Sequence, residues 1–172
     1  MKKIIVVGLS VFMLMGCGMK ETEEVTIKIE KPERNGAYFK NGEVKINDIK
    51  MKITKTEVIQ PGDPGNDDGE KPILVIWYDT TNVQSEYMTP DTAWDVVFTV
   101  TQDNDPNVVN KLGKYHETNI PEYENSLKEI KVGGTLESIV AYELNDLETP
   151  ITLTASQGLM GDKLGEEEIE IK

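Results

Sequence analysis

Carboxylates are the most plentiful chemically competent side chains in this sequence, which holds 31 Asp and Glu residues but only one histidine, His116, and one cysteine, Cys17. Two carboxylates can cleave a glycosidic bond, one as acid and the other as base or nucleophile, when the fold sets them several ångströms apart. No spacing in the chain singles out such a pair. A protein that is not an enzyme is therefore the expectation, with an envelope hydrolase using a carboxylate pair as the alternative. A histidine-based triad has to use His116, whose neighbours Lys114, Tyr115 and Glu117 provide neither a nucleophile motif nor ligand spacing. A solvated loop histidine is the simpler reading. The glycine-rich stretch from Gly158 to Gly165 lacks the Lys-Ser/Thr ending of a phosphate loop, so its glycines read as turn residues.

Two acidic loops remain, Asp63 to Glu70 and Asp103 to Asn107. Calcium prefers clustered oxygen ligands, and Asp103, Asp105 and Asn107 supply them at alternate positions. The pattern then fails, because Val108 stands where an EF-hand loop needs glycine and Lys114 where it needs a bidentate glutamate. Both loops read as solvated turns. A weak calcium-dependent carbohydrate or adhesion module is a further alternative, and no metal or cofactor is required.

Whatever these groups do, the chain must place them, and its start suggests where in the cell. Lys2 and Lys3 precede an apolar run from Ile4 to Met15, too short for the roughly 20 residues that span a bilayer. The run ends in Leu14-Met15-Gly16-Cys17, which resembles the lipobox of bacterial lipoproteins, apart from Met15 where a smaller residue is usual. The resemblance implies that residues 1–16 are a signal peptide and that Cys17 receives a diacylglyceryl group and becomes the new N-terminus. Two acyl chains anchor stably where one is marginal. Residues 17–36, rich in Glu and Lys, read as a tether, with Val25, Ile27 and Ile29 as an added edge strand. The expected location is the outer face of the cell membrane. Net charge is −13 for the whole chain, and losing Lys2 and Lys3 takes it to −15. That balance argues against nucleic-acid binding, and a sole cysteine forbids an intrachain disulfide.

Residues 37–172 are expected to form one domain, and their dominant period is two. Trp94, Val96, Phe98 and Val100 share a face, broken only by Val97; Ile151, Leu153 and Ala155 alternate with Thr152, Thr154 and Ser156; Ile169 and Ile171 alternate with Glu168 and Glu170. Asn41-Gly42 between Tyr38-Phe39 and Val44-Ile46 signals a hairpin with a type I′ turn. Ile49, Met51 and Ile53 form a further strand, and the apolar run Ile73 to Tyr78 reads as a central strand covered on both sides. Leu136 to Leu144 follows the turn at Gly133-Gly134. These runs predict an all-β, immunoglobulin-like antiparallel sandwich of about seven to nine strands. Pro121 to Lys131 is the one helix candidate. Trp77 and Trp94 are the expected core anchors.

In order along the chain, Lys71 to Tyr78, Thr81-Asn82, Pro90 with Thr92-Ala93-Trp94, the excursion from Asp103 to Tyr123, Gly133-Gly134-Thr135, Ala141 to Leu144 and Thr149 to Leu153 form a series. The series is similar to a family of Gram-positive lipoproteins whose globular part is a telokin-like, immunoglobulin-like domain of unknown function. The resemblance implies a fold and an extracytoplasmic location, and no catalytic residues. The function expected is a lipid-anchored binding or interaction module of the envelope, its partner an unidentified envelope or extracellular protein or glycan. The stretch from Gln102 to Lys131 is long for a connection, and long loops concentrate function. Tyr115 and Tyr123 are its candidate binding residues, with the Gln84 to Met88 loop beside them; the alternative is that these tyrosines cover the core.

Overall fold

The computed structural model describes residues 36–171. Cys17, the apolar run before it and the alternation at Val25, Ile27 and Ile29 lie outside the described residues. Among the described residues nine strands form two antiparallel sheets. The larger contains β1 (Tyr38–Lys40), β2 (Glu43–Lys45), β3 (Ile49–Ile59), β4 (Ile73–Asn82), β6 (Lys114–Tyr115) and β7 (Thr135–Glu143), in the order β1-β2-β3-β4-β7-β6. The smaller contains β5 (Phe98–Thr101), β8 (Ile151–Ser156) and β9 (Lys163–Ile169), in the order β5-β8-β9. The expected all-β sandwich is the fold, with one α-helix among the described residues, α1 (Pro90–Val97), added to it.

Local chemistry explains the strands. Asn41 (φ 54°) and Gly42 (φ 69°) supply the two left-handed residues of the β1–β2 turn, which asparagine and glycine tolerate best. Ile73, Leu74, Val75 and Ile76 are at most 1% exposed, because β4 lies between β3 and β7 and is covered on both faces where it begins. Leu74, Ile76 and Tyr78 face the smaller sheet and join Val44, Met51, Trp94, Ile151 and Leu153 in the main core. Ile73 and Val75 face the other way and join Ile59, Tyr115, Ile139 and Ala141 in a second core on the outer face of the larger sheet.

Two expected elements change. Trp94 to Val97 is helical, and β5 begins only at Phe98. Thr89 caps α1, its hydroxyl accepting from the Thr92 backbone N–H at 3.2 Å while the Thr92 hydroxyl accepts from the Thr89 N–H at 3.1 Å. Pro90 occupies the first turn, and Pro90, Ala93, Trp94 and Val97 are the buried residues, a helical spacing that accounts for the break at Val97. The helix expected over Pro121 to Lys131 is a single 3₁₀ turn, Pro121–Asn125. Beyond it the backbone is spent on tertiary bonds: Ser126 O accepts from Asp91 N (3.0 Å) and Ile130 N donates to Met88 O (2.8 Å). Leu127 is accordingly 76% exposed and shares no buried face with Ile130. Trp94 is the anchor expected of it. Trp77 is only half-buried, on the outer face, with Lys55 Nζ 4.3 Å from its ring centroid.

Candidate functional site

The excursion from Gln102 to Lys131 leaves β5, runs along the sheet edge as β6, crosses the outer face of the larger sheet and returns to β7. Amide side chains pin it. Gln102 is fully buried; its Nε2 donates to the carbonyls of Asp146 and Thr149, both at 3.0 Å, and its Oε1 accepts from Asn145 N at 2.7 Å. At the far end Asn82, also fully buried, donates from Nδ2 to Ile130 O (2.7 Å) and Ser85 O (2.8 Å). The middle rests on the loop between β3 and β4, with Thr118 Oγ1 donating to Gly65 O (2.8 Å) and Asn119 Nδ2 to Asp67 Oδ2 (2.8 Å). Asn66 closes that loop through Nδ2 donations to Ile59 O (3.2 Å) and Lys71 O (2.9 Å). Gly65 (φ 98°) is required there, since a Cβ would lie 3.0 Å from Ile120 Cγ1. These bonds satisfy main-chain groups that a regular ladder would otherwise serve.

Tyr115 and Tyr123 come together on this outer face with different surroundings. Tyr115 is 8% exposed and belongs to the second core. Tyr123 packs against that core from above, and its hydroxyl lies 2.8 Å from His116 Nδ1. Burial, and then the negative charge of Asp91, push the Tyr123 hydroxyl pKa upward. Beside them, at the edge formed by β6, a polar cleft of about 420 Å³ is lined by Lys71, Lys111, His116, Glu143 and Asn145 among others. Tyr115 thus covers the core, while Tyr123 and His116 present the outer surface. Tyr115→Ala is expected to cost about 2 kcal/mol of stability, as truncation of a packed ring at the rim of a core should. Tyr123→Ala should cost less than half of that, and a urea titration of both variants checks the difference.

The acidic loops do not converge on a cation site. Asp105 Oδ1 accepts from the backbone N–H of Asn107 (2.8 Å) and from its side-chain amide (3.1 Å), and Asp103, Asp105 and Asn107 are all exposed. Among the described residues no group of three or more His, Cys, Asp or Glu could hold a metal ion. A different acidic residue has the sharper role. Asp146 accepts from the backbone N–H groups of Thr149 (2.7 Å) and Glu148 (2.9 Å) and from Asn104 Nδ2 (2.9 Å). These bonds, the Thr149 one first, hold its carboxyl down at about 2 against an ordinary 3.8. Since the folded-state value is the depressed one, the stabilisation is complete above the ordinary value and is lost as pH falls through about 2. Thermal melts taken from pH 5 down to pH 2 should show Asp146→Asn losing less melting temperature than the native chain over that interval.

On the other half of the outer face Lys40, Lys45, Lys52 and Lys55 are exposed among the described residues, and these lysines escape a strict period-two reading. Register places Lys40 opposite Glu43, Glu43 opposite Lys52 and Lys52 opposite Asp79; Lys45 stands opposite Lys50, and Lys55 opposite Trp77. Residues directly opposite share a face. By simple alternation Lys55 would point away from Lys50 and Lys52, but a register shift between Ile53 and Lys55 returns it to their side. Five of the chain's 18 basic residues therefore stand on three adjacent strands. Glu43 is bonded by Tyr38 and paired with Lys50 at 3.2 Å, and Glu57 is paired with Lys55 at 2.5 Å. Lys40 and Lys45 have no ion pair among the described residues.

Comparison with a solved structure supports this architecture. The structure of a "putative lipoprotein" from Staphylococcus aureus subsp. aureus NCTC 8325 superposes with a TM-score of 0.67 at 18% identity, covering 78% of this chain and 92% of that one. The yjhA protein of Bacillus subtilis gives a TM-score of 0.46 at 10% identity, over 78% of this chain and 99% of its own. No curated protein matches the sequence. No helix of the described residues is long and apolar enough to cross a membrane. The model of a domain of unknown function, DUF5067, matches residues 24–157, which takes in the larger sheet, the pinned excursion and all of β8, and the chain belongs to that family.

Proposed function

We propose that this protein is a lipid-anchored, extracytoplasmic binding module of the bacterial cell envelope, held at the membrane through Cys17 and acting by recognition without catalysis. The observation that carries the reading is the excursion fixed at its start by Gln102, in its middle by the Asn66 loop and at its end by Asn82. A loop ordered by the fold loses little entropy when a partner docks, which is what recognition surfaces need. The partner class is an envelope or extracellular protein or glycan, met by Tyr123, His116 and the cleft beside them. Anchoring is supported by the order of basic, apolar and small residues ending in Cys17 and by the likeness to a protein described as a lipoprotein.

Cys17→Ser is expected to shift the protein from the membrane fraction to the medium, or to leave an unprocessed precursor. Mass spectrometry of the native protein tests the same point, because residues 1–16 still attached in the envelope would overturn the anchored reading. A photo-crosslinking residue at Glu117 or Glu122, in intact cells, should give a discrete adduct. The same probe at Glu168, on the far sheet, should give none.

A further inference from the structure

We infer that the lysine-bearing half of the larger sheet's outer face is a docking face for the phosphate headgroups of an anionic bilayer, so that the anchored domain lies on its membrane in one orientation. Lys40, Lys45, Lys50, Lys52 and Lys55 occupy one face of β1, β2 and β3 against Glu43, Glu57 and, on β4 opposite Lys52, Asp79. Glu43 and Glu57 are already engaged by Lys50 and Lys55, which leaves Lys40, Lys45 and Lys52 against one further carboxylate, Asp79, and so a net positive charge for an outside anion. A hollow of about 400 Å³ lined by Tyr38, Lys40, Asn41, Glu43 and Lys52 lies on that face, large enough for a phosphate. Tyr38 and Trp77 border the lysines, and such amphipathic rings favour the headgroup level of a bilayer.

The rest of the molecule argues for a bilayer over a free polyanion. With a net charge of −13 the chain repels a diffusing polyanion, and five lysines on one face do little at long range. An anchor removes that obstacle by holding the domain near the surface, and this inference rests on the anchored reading. The field then has only to choose a face. Lysines in contact with headgroups are attracted within a Debye length of roughly 8 Å. The acidic run Glu166, Glu167, Glu168 and Glu170 lies on or just after β9 of the smaller sheet, and packed sheets are about 10 Å apart, so most of its repulsion is screened when the lysine face is down. Glu167 is the exception at the margin, its carboxylate accepting from Gly42 N at 2.8 Å.

The test uses the full chain reconstituted into vesicles of phosphatidylcholine alone or with about a third phosphatidylglycerol. Acylation by a water-soluble amine reagent is read lysine by lysine by mass spectrometry. Lys40, Lys45 and Lys52 should react at least about threefold more slowly in the anionic vesicles, with Lys71, Lys128 and Lys163 unchanged, and about 1 M salt should abolish the difference. Lys50 and Lys55, on the same face, should be slowed with them in the native chain and should lose that protection in the variant Lys40→Gln/Lys45→Gln/Lys52→Gln, with its fold checked by circular dichroism. Equal labelling in both vesicles, or uniform slowing of every lysine, overturns the inference. Protection by soluble polyphosphate above neutral vesicles, with none from the anionic lipid, overturns it in favour of a free polymer. A chain that leaves the neutral vesicles altogether overturns the anchored reading, and face-specific protection on anionic vesicles would still support the docking face.

Discussion

Trp94→Ala is expected to remove about 3–5 kcal/mol of stability, a large share of the 5–15 kcal/mol typical of a domain, and to lower the urea midpoint accordingly. Trp94 is fully buried, with its ring centroid 4.6 Å from that of Tyr78 and 4.5 Å from that of Phe98. It joins α1 to both sheets, and no neighbour can fill the space of an indole without moving an element. Its Nε1–H also donates to the Tyr142 hydroxyl at 2.7 Å, deep enough that burial raises the Tyr142 pKa. Trp94→Phe keeps most of the ring and loses the donor, so it should cost about 1–2 kcal/mol, from the tyrosine hydroxyl left unpaired. Combining it with Tyr142→Phe should recover part of that loss. A wild-type midpoint for Trp94→Ala would mean that α1 does not pack between the sheets as described.

How far such results could be foreseen depends on the range of the forces involved. Strand alternation is local, and Ile151 to Ser156 or Asn41-Gly42 identify themselves within a few residues. The α1 segment carries two patterns at once: Trp94, Val96 and Phe98 fit a strand, while Thr89, Pro90 and the spacing of Ala93, Trp94 and Val97 fit a capped helix. The cap prevails because it satisfies backbone donors that a strand at this position would have to pair elsewhere. The candidate site was half legible. The length of the excursion points to Tyr115 and Tyr123, but nothing adjacent in sequence says that Tyr115 pairs with Ala141 and turns inward. The bulge that gathers Lys55 with Lys50 and Lys52 was equally hidden, because it reflects the fit of β3 to β4.

Buried amides were the least legible feature, and Gln102 offers the most direct test of their role. Asn66, Asn82 and Gln102 have the composition of ordinary loop residues, yet each is fully buried and bonded to main-chain groups. Gln102→Leu keeps roughly the volume and removes every side-chain bond, leaving Asn145 N–H and the carbonyls of Asp146 and Thr149 without that partner. The expected cost is about 2–4 kcal/mol, with faster proteolysis between Asp103 and Asn110 as the local sign that the start of the excursion is free. Gln102→Glu goes further at neutral pH, since a carboxylate still accepts from Asn145 N but can donate to neither carbonyl and sits beside Asp146. Burial and that neighbour would raise its folded-state pKa, so the variant should regain stability as pH falls through the raised value and the protonated acid recovers one donor. This is opposite in sign to the acid response of Asp146, and thermal melts near pH 7 and pH 4.5 separate the two. If both Gln102 variants melt like the native chain at neutral pH, the excursion is held by something other than this amide, and the claim that its order is built in by the fold fails with it.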